Sequence, residues 1–66
     1  MAFQNKKELF EALIAGEIIV HKDSKILIKF AENGALVYYI EDIQQWDKCN
    51  PSFEYPQLWM LARDLK

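Results

Sequence analysis

Sixty-six residues with a net charge of −2, 52% apolar side chains, one cysteine and one histidine describe a single small domain over 1–66. That composition excludes disorder, an internal disulfide and an ordinary zinc constellation, and it offers no basic surplus for neutralising nucleic-acid phosphates. No run approaches the ~20 apolar residues of a membrane span and the opening residues lack a signal-peptide pattern, so a cytoplasmic protein is expected, its lone thiol suited to a reducing compartment.

Asn5 followed three residues later by Glu8 is a helix start with the elements of a capping box. Leu9, Phe10, Leu13 and Ile14 then make one apolar stripe, and Gly16 suits a left-handed C-terminal cap. The pattern predicts a helix over 5–16. A β-branched strand follows over 17–21, then a polar break at 22–24 and a second strand over 25–30. In that second strand Ile26, Ile28 and Phe30 share one face, opposite Leu27 and Lys29. Asn33-Gly34 is a hairpin signal, and the third strand, 35–40, places Leu36, Tyr38 and Ile40 opposite Ala35, Val37 and Tyr39. Residues 41–46 fit either a further strand or a helical turn. Residues 47–52 read as an exposed turn, and 53–55 alternate as a short strand that Pro56 ends. Residues 57–62 are assigned to a last strand in preference to a helix. The expected fold is α+β: one N-terminal helix packed on an antiparallel β-meander of three to five strands.

Large apolar residues on both sheet faces and one short helix to cover them imply that one face meets water. A domain of this size usually needs added support, and neither a disulfide nor a metal is available. A homo-oligomer, dimer or larger, is therefore expected.

Catalytic parts are scarce. His21 is the only ordinary base, at a strand end beside Lys22 and Asp23, and Ser24 and Ser52 lie in turns. Cys49 sits next to Lys48, a neighbour that lowers a thiol pKa, but it reads as a free surface thiol. Adjacent Glu41 and Asp42 diverge on a strand, and both glycines have turn duties, so no phosphate loop exists. No enzyme activity, metal or cofactor is expected. What stands out is an acidic-aromatic stretch. Phe10, Phe30 and Trp59 read as core, whereas Tyr39, Trp46, Phe53 and Tyr55 are contact candidates, steered by Asp42, Asp47 and Glu54. The expected function is a non-enzymatic accessory protein that binds and inhibits a host protein through this surface.

The stretch 8–22, with its amphipathic helix, Gly16, and a strand running into His21-Lys22, together with Trp59 near the end, resembles the Thoeris anti-defence family of phage proteins that sequester nucleotide signals. Asp23-Ser24 stand where that family carries a Gly-Trp segment. The resemblance implies a phage accessory protein that works by binding, with a host defence component as its partner. It also implies an alternative, an oligomeric trap for a nucleotide messenger, in which His21, Lys22 and Lys25 meet phosphates and Tyr38 or Trp59 stacks on the base. A structural subunit of a larger assembly is the third reading.

Overall fold

The computed structural model describes residues 2–65 and has one helix and a five-stranded antiparallel sheet. Helix α1 spans Lys6–Ile14. Asn5 caps it: its extended backbone (φ −155°, ψ 172°) lets Oδ1 accept the Glu8 N–H at 2.9 Å. Glu8 reaches back as expected, but its Oε1 takes the N–H of Gln4, one residue before the cap. At the other end Gly16 adopts φ +88°. Its N–H goes to the Leu13 carbonyl and that of Glu17 to the Ala12 carbonyl, both at 3.0 Å, which is a Schellman closure. The helix is shorter than 5–16 because capping and exit residues lie outside it.

The strands are β1 (Ile19–His21), β2 (Leu27–Phe30), β3 (Leu36–Ile40), β4 (Gln45–Lys48) and β5 (Trp59–Leu61), in the order β4-β3-β2-β1-β5. Four strands form a meander and the fifth returns to pair with β1. Ile28 faces Tyr38 and Phe30 faces Leu36, so the facial split expected for the second and third strands holds. The strand expected over 25–30 starts only at Leu27, because Lys25 takes a left-handed φ of 64° and closes the turn with its N–H on the His21 carbonyl. Residues 41–44 are a turn with Gln44 at φ 52°, and strand β4 follows. Asp47 and Lys48 thus lie in a strand rather than in the exposed turn expected over 47–52. The short strand expected over 53–55 is absent: Phe53 turns at φ 51°, which ends any extended run. The last segment is a 3-10 turn over Pro56–Leu58, strand β5, then a second 3-10 turn over Ala62–Asp64.

The core lies between α1 and one sheet face. Leu9 and Leu13 join Phe3, Ile19, Ile28, Phe53 and Trp59, with Phe30, Leu36, Tyr38 and Cys49 packed around them. The helical stripe is used unevenly. Leu9 and Leu13 are buried, whereas Phe10 is 36% and Ile14 76% exposed. The Phe10 ring still packs edge-on to Phe53, so Ile14 alone of the stripe stands clear of the core.

The second face carries Val20, Leu27, Lys29, Val37, Tyr39, Trp46 and Met60, by the alternation of the paired strands. No helix lies on it, as the sequence suggests, and its own side chains cover it in part. Val20 is 0% exposed and Val37 is also buried. The Lys29 ammonium sits 4.4 Å above the Trp46 ring, and Tyr39 meets that ring edge-on at 5.2 Å. One sheet edge is covered, and the other is satisfied at a single amide. On β5, Ala2 bridges Met60 and the Phe3 N–H goes to the Trp59 carbonyl. On β4, the Cys49 N–H goes to Leu36, so ladder alternation turns the Lys48 N–H outward, where Asp47 Oδ1 accepts it at 2.8 Å.

Candidate binding surface

Beyond the cover of α1, the 49–55 segment crosses the core side of the sheet and leaves a hollow on each side of Pro51. One, of about 270 Å³, is lined by His21, Ser52, Phe53, Glu54, Tyr55, Leu58 and Trp59. The other, of about 330 Å³, is lined by Ile26, Ile28, Tyr38, Cys49, Asn50 and Trp59. Pro51 and Trp59 border both.

Local folding explains each position. Trp59 opens β5 directly after the 3-10 turn that Pro56 begins, and its ring packs edge-on to Phe53 (5.2 Å) and His21 (5.0 Å). Phe53 is pinned between Trp59 and Phe10, whose ring lies 5.5 Å away at 86°. The left-handed backbone at Phe53 turns the chain, so Tyr55 emerges 63% exposed at the rim while Phe53 is only 4% exposed. Phe53 is therefore a core residue and not an exposed contact anchor.

His21 is held by its own turn. Its Nδ1 accepts the N–H groups of Asp23 (3.2 Å) and Ser24 (3.1 Å), so the neutral ring carries its proton on Nε2. Ser52 and Glu54 share its hollow, but no hydrogen bond joins the three among the described residues, and the nitrogen that a carboxylate would orient is already occupied. Cys49 is half-buried at the second hollow, and desolvation pushes its thiol pKa up. This reverses the influence expected from Lys48, whose strand position aims it at the other sheet face.

The predicted contact residues do not form one surface. Tyr39 and Trp46 pair on the second sheet face, and Asp47 projects from the opposite side of β4 with its carboxylate on the Lys48 amide. Asp42 lies in the exposed β3–β4 turn. Only Glu54 and Tyr55 join the hollows as exposed groups. The ligand set divides too. His21, Tyr38 and Trp59 line the hollows, while Lys22 and Lys25 stay on the exposed β1–β2 turn, the Lys25 ammonium donating to the Lys22 carbonyl at 2.7 Å. No lysine or arginine lines either hollow. Among the described residues no cluster of His, Cys, Asp and Glu could hold a metal ion, and no helix is long and apolar enough to cross a membrane.

Sequence reasoning missed Ile26, Asn50 and Pro51 at this surface, and Phe3 and Phe53 in the core. Asn50-Pro51 carried a signal: an X-Pro pair between apolar runs is an extended segment well suited to bridging a core. Comparison with protein families, curated proteins and solved structures finds no match for this chain.

Proposed function

We propose that this chain is a non-enzymatic binding module that engages a partner protein at the two hollows beside Trp59. The observation that carries this reading is the hollows themselves. They are concave, lined by aromatic and aliphatic side chains, and rimmed by the exposed Tyr55 and the carboxylate of Glu54. Binding sites have this character: apolar walls supply affinity and a few polar tips supply orientation. The lack of cations in the lining favours an apolar protein anchor over a nucleotide phosphate. The resemblance of 8–22 to phage anti-defence proteins gives the setting, in which the partner is a host defence protein and the consequence of binding is its inhibition.

The test compares partner recovery by the unaltered chain, by an Ile26→Asp/Tyr55→Ala variant, and by Ile14→Asp, an equally disruptive change at a remote exposed site. Loss of the partner with the hollow variant alone is expected. Retention by the hollow variant, or equal loss in both, removes the reading.

A further inference from the structure

Ala2 and Phe3 cover the β5 edge of the sheet, whereas the outer edge of β4 stays partly open. The Cys49 N–H on the Leu36 carbonyl sets the phase of the ladder. Gln45 and Asp47 turn their backbone groups toward β3, and Trp46 and Lys48 turn theirs outward. Of the four outward groups only the Lys48 N–H has a partner among the described residues, the Asp47 carboxylate at 2.8 Å. The Trp46 N–H and the carbonyls of Trp46 and Lys48 are free to pair with an added strand.

A second copy of the chain offers its own β4, and one antiparallel register uses all the outward groups. It is centred on Asp47, so that Trp46 of each copy exchanges both backbone bonds with Lys48 of the other. Shifted registers are poorer. A centre at Trp46 sets Lys48 against Gln44, whose left-handed φ of 52° lies outside the strand, and a centre at Lys48 sets two ammonium groups face to face. The favoured register has one obstacle. Its middle pair is the kind without backbone bonds, in which facing Cα atoms approach to about 4.5 Å, and it places carboxylate on carboxylate. Asp47 thus opposes its own copy twice, by occupying the Lys48 amide and by repelling its counterpart.

A cation at the facing position inverts both effects. Asp47 is exposed and outside any salt bridge among the described residues, so its carboxylate can cross to a facing cation and release the Lys48 amide to the ladder. From this we infer that the β4 edge is a strand-pairing site at which Asp47 selects the occupant: it turns away a second copy and accepts an extended segment that presents a lysine or arginine opposite it. The site goes beyond the binding reading above, since none of Gln45–Lys48 lines either hollow.

The chain supplies its own probe. Isotope-labelled unaltered chain is mixed at millimolar concentration with unlabelled Asp47→Lys, a change at an exposed side chain. Opposite charges then face each other in the register centred on position 47, and the two chains are expected to pair one to one. The amide signals of Gln45–Lys48 should move, and the Trp46 amide should exchange with solvent roughly tenfold more slowly or better, whereas each chain alone stays single. Asp47→Ala removes both the repulsion and the cap on the Lys48 amide, so it should pair with itself. Adding Lys48→Pro to that variant deletes an outward amide and no bond to β3, and pairing should then be lost. A mixture that behaves as the sum of its parts, an Asp47→Ala variant that stays single, or association that survives Lys48→Pro overturns the inference. None of these outcomes bears on the hollows, whose own test is partner recovery by the Ile26→Asp/Tyr55→Ala variant.

Discussion

Replacing Phe53 by alanine tests whether this residue belongs to the core or to the contact surface. Its backbone is in the left-handed region at φ 51°, which costs a residue with a β-carbon roughly 1–2 kcal/mol. That cost is met by burial of the ring, about 1.5–3 kcal/mol, and by two edge-on aromatic contacts worth about 0.5–1.5 kcal/mol each. Alanine keeps the cost and removes the gain, so Phe53→Ala should lose about 3–5 kcal/mol. This is as much as so small a core holds, and the melts are best run in a stabilising osmolyte. Phe53→Gly removes the same ring but tolerates the backbone, and it should stand roughly 1–2 kcal/mol above Phe53→Ala. Tyr55→Ala, two residues on, should stay within about 0.5 kcal/mol of the unaltered chain. Urea titration followed by tryptophan fluorescence reads all three. Similar midpoints for Phe53→Ala and Tyr55→Ala, or glycine below alanine at 53, would refute the placement of Phe53.

A β-carbon at Gly16 meets nothing within 4 Å, so Gly16→Ala should cost only the left-handed backbone, about 1–2 kcal/mol by thermal or urea melt; a neutral result would contradict the Schellman closure. Desolvation raises the Cys49 thiol, so iodoacetamide should label it more slowly than free cysteine at neutral pH, and a faster rate would place the thiolate in an activating site. Because the folded pKa lies above the unfolded one, stability tied to this group is complete below the unfolded value and falls as pH rises through the folded value; Cys49→Ser should flatten that alkaline decline, and an unchanged pH curve would assign it elsewhere. Light scattering should give the mass of one chain at micromolar concentration, since Val20 and Val37 are buried, Lys29 lies over the Trp46 ring and the β5 edge is occupied; a dimer dissociated by Trp46→Ala would restore the self-association that the sequence suggests.

Much of the fold is legible from residue order. Asn5, Glu8 and Gly16 bound the helix, and the two-residue period of a strand divides 26–30 and 35–40 between two sheet faces. These signals are local, set within one turn or one pleat. The 41–56 segment escapes because its structure depends on contacts far away in sequence. Phe53 takes a costly backbone only because Trp59 and Phe10 receive its ring, and nothing in Pro51-Ser52-Phe53-Glu54 announces that. The same limit divided the candidate site. Tyr39, Trp46 and Asp47 lie near Phe53, Glu54 and Tyr55 in sequence, but β4 pairing sends Trp46 to one face and Asp47 to the other. A count of apolar residues also does not reveal that the Lys29 ammonium lies over the Trp46 ring.

The most direct test of the binding account places a photo-crosslinking amino acid at Tyr55, on the hollow rim, or at Ile14, the outward helix residue, and irradiates cells that contain the partner. Attachment of one discrete protein from position 55 and none from position 14 is predicted. The same adduct from both positions, or from position 14 alone, would contradict it.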